Sequence, residues 1–200
     1  LSIADTARLV VERGRLMQHA CDERPGGMAA LLGIDELSVE EICTETGTYI
    51  SNINTDDQII VSGDHMALAK AIDLAAARGA RKCVPLPVGG AFHSGLMEPA
   101  RSGLLDVIDS LDWHDPAVPG IANCDARSIT TAAEIKEELG MQIMSCVRWS
   151  DSIRFMLGNG VRDFVEVGQG KVLAGMMRRI DREANMSNIS DMESVVALAS

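Results

Sequence analysis

The sequence is poor in aromatic residues, in basic charge and in long apolar runs. Aromatic side chains make up 3% of the 200 residues, so the core must be aliphatic and use many of the 11 Met. Acidic residues outnumber basic ones by 29 to 18, and the net charge of −11 argues against nucleic acid as a partner. No apolar run reaches the roughly 18 residues of a membrane-spanning helix, so no membrane partner is predicted.

Metal-binding and disulfide patterns are also missing. The five Cys are odd in number and form no Cys-x-x-Cys pair, and the four His are far apart along the chain. The sequence therefore predicts neither a zinc site nor a disulfide framework, and nothing in it indicates a cofactor. Free thiols are typical of a reducing compartment, which favours the cytoplasm.

Alternating apolar patterns divide the chain into two predicted parts. A capped helix covers roughly the first 23 residues, and a βαββαβ pattern typical of a ferredoxin-like unit follows at 27–88. Beyond it, helices are predicted at 95–111, 131–145, 150–158, 171–183 and 191–199, and strands at 118–123, 161–167 and 186–190. This alternation predicts a larger, mainly parallel α/β domain formed by 1–26 and 89–200, with 27–88 inserted in it. Its three strands are too few for a whole sheet, so we expect the large domain to be incomplete.

His93 is the first candidate for chemistry. It lies in the string Gly90-Ala91-Phe92-His93-Ser94, between a predicted strand and a predicted helix, where α/β proteins often place catalytic groups. A plain surface or capping histidine is the alternative reading. We expect Ser94 to cap the following helix, because side chains of adjacent residues point in different directions and make a poor nucleophile–base pair.

Arg13 is the second candidate. The first helix carries an apolar stripe whose centre is predicted at Ile3, and at about 100° per residue Arg13 lies roughly 80° from that direction. Arg8 and Arg15 lie farther away, so Arg13 is the arginine nearest the predicted buried face. A guanidinium fork there suits a carboxylate ligand, although an arginine that only covers apolar surface gives the same pattern.

Two loops admit alternative readings. Asn54 stands at a predicted hairpin, where it either lines a pocket or serves the turn. Gly168-Gln169-Gly170-Lys171 follows a predicted strand and precedes a helix, which suggests a phosphate loop, but the spacing of a nucleotide-binding Gly-x-x-x-x-Gly-Lys motif is absent.

Several strings in order resemble the malonyl-CoA:acyl-carrier-protein transacylase family, from residue 1 to about 182. They are Val10-Val11-Glu12-Arg13-Gly14, Gly27-Met28-Ala29-Ala30, Asn52-Ile53-Asn54, Gly90-Ala91-Phe92-His93-Ser94, Asn123-Cys124-Asp125-Ala126-Arg127, Val147-Arg148-Trp149 and Val165-Glu166-Val167-Gly168-Gln169-Gly170-Lys171. Gln169 departs from the Gly-Pro-Gly turn that is usual in the family.

The resemblance implies a fold and a reaction. The fold is an α/β-hydrolase-like large domain with a ferredoxin-like insert. The reaction transfers malonyl from malonyl-CoA to the phosphopantetheine thiol of acyl carrier protein through a seryl acyl-enzyme, in fatty-acid biosynthesis in the cytoplasm.

The resemblance also implies roles for five residues. His93 matches the general base, and Gln142 matches the residue whose backbone carbonyl orients it, although by itself Gln142 reads as an ordinary helix residue. Arg13 matches the clamp for the malonyl carboxylate. Phe92 matches a ring that crowds out α-branched acyl groups, and Asn54 matches a pocket-lining residue.

The large departure from the family is the missing nucleophile. No Gly-x-Ser-x-Gly string occurs in the 200 residues. We expect the serine and the oxyanion donors to precede Leu1, and the 200-residue chain by itself to be inactive. The rival hypotheses are a non-catalytic ferredoxin-like module that binds a ligand or partner, and a nucleotide-binding protein that uses residues 168–171.

Overall fold

A computed structural model of the chain describes residues 1–198, which form α-helices and strands in alternation. The helices are α1 Ile3–Glu23, α2 Glu36–Thr46, α3 His65–Ala77, α4 Glu98–Asp109, α5 Ala132–Gln142, α6 Trp149–Gly158, α7 Val172–Ile180 and α8 Met192–Leu198. The strands are β1 Gly27–Leu32, β2 Tyr49–Thr55, β3 Gln58–Gly63, β4 Lys82–Pro85, β5 Gly120–Ile121, β6 Ser128–Ile129, β7 Asp163–Val167 and β8 Asn185–Ile189. The end of the predicted last helix, at residue 199, lies outside the described residues. No helix in the described part is long and apolar enough to cross a bilayer.

The first four strands form one antiparallel sheet in the order β2-β3-β1-β4. Because side chains alternate along a strand, β1 turns Ala29 and Leu31 toward one face and Met28 and Ala30 toward the other. Helices α2 and α3 cover the first face. The second face packs against Phe92. The loop that carries Phe92 and His93 therefore lies against this face of the sheet.

A second core lies between α1 and α4. Its buried residues include Leu9, Ala20, Leu104 and Ile108. The predicted stripe centred on Ile3 is wrong, since Ile3 is 91% exposed. The helix turns Leu9 and Ala20 inward instead, and Arg13 lies on the same face because it follows Leu9 by four residues.

The later strands form two small pairs. β5 and β6 are antiparallel, whereas β7 and β8 are parallel. The prediction of a mainly parallel sheet is therefore not met in residues 1–198, where β7 with β8 is the one parallel pair of strands. The described fold is α/β with mixed sheets. Strand β6, which follows β5 after residues 122–127, was not predicted, because a strand of two residues shows no periodic pattern.

Candidate functional site

The histidine loop joins β4 to a single 3-10 turn at Gly95–Met97. His93 has a φ of 56°, a left-handed conformation that is unusual for a residue other than glycine and that clusters at functional sites. Ser94 is fully buried, donates to the carbonyl of Ala91 at 2.6 Å and accepts from the amide of Leu96 at 3.2 Å. Ser94 thus caps the 3-10 turn that precedes α4, whereas the N-cap of α4 itself is Met97. Because Ser94 already donates its hydroxyl proton to Ala91, it is unsuited to act as a nucleophile.

Two buried serines of the sheet, Ser51 and Ser62, fix the loop that carries His93 by hydrogen bonds. Ser51 Oγ lies 3.0 Å from the carbonyl oxygen of Phe92 and 2.5 Å from Ser62 Oγ. A hydroxyl has one proton and a carbonyl only accepts, so Ser51 donates to Phe92 while Ser62 donates to Ser51. These two hydrogen bonds connect the backbone just before His93 to β2 and β3. They offset the strain of the left-handed conformation of His93.

The backbone carbonyl of Gln142 orients the imidazole of His93. The two atoms, His93 Nδ1 and Gln142 O, are 3.0 Å apart. Gln142 is the last residue of α5, where carbonyl groups have no partner within the helix and remain free to accept. Because a carbonyl cannot donate, Nδ1 must carry the proton, which leaves Nε2 as the basic nitrogen.

The surroundings favour the neutral form of the His93 imidazole. Burial lowers the pKa of His93 from its ordinary value, the hydrogen bond to Gln142 raises it, and the positive charge of Arg13 lowers it again. The net direction is downward, so the neutral form that can accept a proton persists to lower pH.

Arg13 reaches the same place from α1. Its Nη2 donates to the side-chain Oε1 of Gln142 at 3.0 Å, and burial lowers the pKa of its guanidinium. No carboxylate pairs with Arg13 in the described part of the chain. A guanidinium has five N–H donors, so most of them stay available to a negatively charged ligand.

A cavity of about 490 Å³ lies in front of these groups. Its lining residues are Arg13, Met17, Met28, Ala30, Asn52, Asn54, Gln58, Ile60, Leu86, Phe92, His93, Val172 and Met176. Asn54 Nδ2 donates to Gln58 Oε1 at 3.3 Å, so the two amides form a polar patch in a largely apolar wall. The mixture suits a ligand with an extended body and one anionic end.

The structure brings the five sequence-predicted site residues together. Arg13, Asn54, Phe92 and His93 line one cavity, and Gln142 lies directly behind it, bonded to both His93 and Arg13. Sequence reasoning missed Ser51, although a polar residue at an inward position of β2 was a usable signal.

Asn123 was missed as well. It was noted within a matching string but given no role. In the structure its side-chain Oδ1 accepts from Nε2 of Gln142 at 3.2 Å.

The described residues contain neither a metal-binding cluster nor free backbone amides for a phosphate at the turn before α7. No group of three or more His, Cys, Asp or Glu able to hold a metal occurs in residues 1–198. At the turn before α7, the carboxylate of Glu166 accepts from the amides of Leu173 and Ala174 at 3.1 and 3.0 Å. Those are the amides that a phosphate at this helix terminus needs, so the nucleotide-binding hypothesis loses its donors.

Comparisons with known proteins agree on one family. Residues 1–198 match the acyl transferase domain family. The malonyl CoA-acyl carrier protein transacylase of Bacillus subtilis is 38% identical over 200 residues, which cover 98% of this chain and 63% of that protein. The protein of the same name from Salmonella typhimurium is 37% identical over 184 residues, which cover 90% and 60%.

Solved structures give the same result. An acyl-carrier-protein S-malonyltransferase from Bartonella henselae superposes with a TM-score of 0.93 at 37% identity, covering 99% of this chain and 64% of that one. A malonyl-transacylase in complex with a type II polyketide synthase acyl-carrier protein superposes with a TM-score of 0.90 at 31% identity, covering 95% and 63%. The chain thus spans slightly less than two thirds of the length of these relatives.

Proposed function

The chain belongs to the acyl transferase domain family, and we propose that it provides the base and the carboxylate clamp of a malonyl-CoA:acyl-carrier-protein transacylase of fatty-acid biosynthesis. The observation that carries the proposal is one cavity in which a carbonyl-oriented His93 lies beside Arg13, an arginine with no acidic partner among the described residues. Relatives with that name, at 34–38% identity, support it.

In the proposed reaction His93 moves protons in two steps. Nε2 first takes the proton of a serine hydroxyl as the oxygen attacks the malonyl thioester, and it then protonates the departing CoA thiolate. In the second step Nε2 takes the proton of the phosphopantetheine thiol as its sulfur attacks the acyl-enzyme, and it then returns this proton to the departing serine oxygen. The carbonyl of Gln142 stabilises the transient imidazolium less than a carboxylate does, but it fixes the tautomer.

The serine is proposed to come from a part of the protein beyond these 200 residues. Two facts support this assignment: the 200 residues contain no Gly-x-Ser-x-Gly string, and they span 63% of the Bacillus subtilis relative. The 200-residue chain by itself would then hold no acyl group.

Arg13 is the proposed clamp for the free carboxylate of malonyl. A guanidinium fork binds a carboxylate through two parallel hydrogen bonds, and partial burial strengthens them. Phe92 is proposed to crowd the space beside the α-carbon, which disfavours branched acyl groups. Asn54 is proposed to contact the amide-rich arm of the donor from the polar patch that it forms with Gln58.

We also propose a division of the chain and a location. Residues 27–88 form a ferredoxin-like insert, and residues 1–26 with 89–200 form part of an α/β-hydrolase-like domain. The strand order β2-β3-β1-β4 and the separate cores of the two parts support this division. The five free thiols of the described chain support a cytoplasmic location.

A non-catalytic binding module is the less favoured alternative. The hairpin residues Asn54 and Gln58 of the insert face the same cavity as His93, so the insert has a place in the acyltransferase site itself. No feature of the described insert calls for a separate ligand.

The test compares two acyl donors on one variant of the full-length protein. Malonyl-CoA differs from acetyl-CoA by a carboxylate, so Arg13→Ala should lower malonyl transfer to the carrier protein by roughly 30-fold or more, the cost of unpairing a buried charge. Acetyl transfer should hold or rise. Arg13→Lys should rescue malonyl transfer in part, because a point charge lacks the fork.

His93→Ala is the control for the chemical step. It should lower transfer of both acyl groups by roughly 10²–10⁴-fold, the range of a general base. If Arg13→Ala lowers malonyl and acetyl transfer by the same factor, Arg13 supports the fold and does not select the substrate.

A further inference from the structure

The side chain of Gln142 links Arg13 to Asn123. Gln142 Oε1 accepts from Arg13 Nη2 at 3.0 Å, and Gln142 Nε2 donates to Asn123 Oδ1 at 3.2 Å. All three side chains are half-buried. The same residue orients His93, but it does so through its backbone carbonyl, so its side chain is free to serve another purpose.

The orientation of the side-chain amide of Gln142 determines whether Arg13 finds a hydrogen-bond acceptor there. An amide has an accepting oxygen at one end and a donating nitrogen at the other, whereas a guanidinium only donates. If the amide turned over, its NH₂ group would face Arg13 and leave donors opposed in a partly buried place. Asn123 offers an accepting oxygen, which favours the NH₂ group of Gln142 on its own side and leaves Oε1 for Arg13.

Asn123 is itself fixed by its backbone. The backbone N–H of Asn123 donates to Oε1 of Glu138 at 2.6 Å, and its backbone carbonyl accepts from the backbone N–H of Arg148 at 2.8 Å. Glu138 is 7% exposed and lies one helical turn before Gln142 on α5. A buried carboxylate on the helix of Gln142 therefore sets the position of Asn123 relative to Gln142.

We infer that Asn123 is a positioning residue for substrate selection, which acts through the side chain of Gln142 to aim the Arg13 guanidinium at the acyl carboxylate. The inference rests on the proposed function. It divides Gln142 between two tasks: the backbone serves the base, and the side chain serves the clamp. Changes at Asn123 should consequently alter selection of the acyl group more than the chemical step.

The experiment measures kcat/KM for malonyl-CoA and for acetyl-CoA with the full-length protein and its variants. In Asn123→Ala the ratio of malonyl to acetyl kcat/KM should fall about 3- to 10-fold, the effect of one lost hydrogen bond. Most of this fall should appear as a higher KM for malonyl-CoA. In Asn123→Asp the ratio should stay within about two-fold of wild type, since the carboxylate keeps an acceptor in the same place.

A second variant guards against misfolding at position 123. Gln142→Met keeps the backbone carbonyl for His93 and a side chain of similar length, but it removes the amide, so it should lower the ratio as Asn123→Ala does. Equal losses for both donors in these variants, or an unchanged ratio, overturn the inference while the proposed function stands. A wild-type protein that transfers no malonyl at all overturns both.

Discussion

His93 shows how several small contacts specify one reactive group. Its left-handed backbone costs about 1–3 kcal/mol, by the usual cost of such conformations. The serine pair on β2 and β3 and the buried cap formed by Ser94 restrain the loop from either side of His93. The imidazole that results has one defined tautomer and points Nε2 away from Gln142.

A pH profile tests the electrostatics of His93. The base must be neutral to accept a proton, and burial together with the charge of Arg13 lowers its pKa. A lowered pKa keeps the neutral form to lower pH, so the acid limb of kcat/KM should lie below about 6.5, the ordinary value for histidine. In Arg13→Ala one of the lowering causes is gone, and the limb should move to higher pH.

Acetyl-CoA is the donor for this profile, because it has no carboxylate to lose with Arg13. A wild-type limb above the ordinary value, or a limb that moves to lower pH in Arg13→Ala, contradicts the assignment.

At the residue scale, the position of Arg13 at the site was predicted correctly although the helix periodicity used for it was wrong. Arg13 was chosen from a stripe centred on Ile3, and that stripe is wrong, yet Arg13 is half-buried because it shares a face with Leu9 and Ala20. The prediction for Arg13 depended on its match to a family string and not on helix periodicity. Asn123 also lies in a family string, but that string assigned it no role, and its hydrogen bond to Gln142 joins a loop to the end of α5, which local sequence patterns do not reveal.

At the element scale, short pieces were the hardest to predict. In the sequence, Ser38 and Glu41 indicate a capping box at the start of α2. In the structure, however, the N-cap of α2 is Asp35, whose side chain accepts from the amide of Ser38. Strand β6 has two residues and was not predicted. Two residues cannot display a period, whereas α1 and the strands of the first sheet are long enough to do so.

Helix α7 lines the cavity and carries basic side chains at its two ends. Val172 and Met176 line the cavity, while Lys171, Arg178 and Arg179 are exposed and have no acidic partner in the part of the chain that the structure describes. A second basic cluster, formed by Arg78, Arg81 and Lys82 on the insert, has two of its three charges paired with acidic residues. There Arg78 pairs with acidic residues of α2, and Arg81 pairs with Asp57 at 2.6 Å.

Docking of the proposed carrier protein should therefore depend on α7. Carrier proteins of this kind are typically acidic, and this chain is too, with a net charge of −11, so association needs a local basic surface. Reversing Arg178 and Arg179 to Glu should lower kcat/KM for the carrier protein by about tenfold or more at low salt, and less at high salt. Hydrolysis of malonyl-CoA by the same variant should be spared.

The matched control reverses Arg78 and Arg81, whose charges are already paired. This variant should change carrier-protein kinetics much less. If the insert variant loses more carrier-protein activity than the α7 variant, the docking surface lies on the insert.

At the scale of the whole molecule, the described chain leaves apolar surface and a strand edge open. Val165 and Val167 of β7 are 44% and 78% exposed, and within residues 1–198 β7 pairs on one side only, with β8. On the first helix, Val10 and Val11 are 63% and 66% exposed. An unpaired apolar edge offers free N–H and C=O groups to another chain, which a helix face does not.

The 200-residue chain should consequently self-associate through β7 at concentrations on the order of 10 μM, where exposed edges commonly pair. Light scattering after size exclusion measures the mass. Val165→Lys with Val167→Lys should restore the monomer, because charged side chains block edge pairing. Val10→Lys with Val11→Lys adds the same charge and removes a similar apolar area from α1, but it leaves the strand edge open and should not restore the monomer. A monomeric parent chain that melts cooperatively contradicts the prediction outright, and recovery of the monomer by the α1 variant alone assigns the association to the helix face instead.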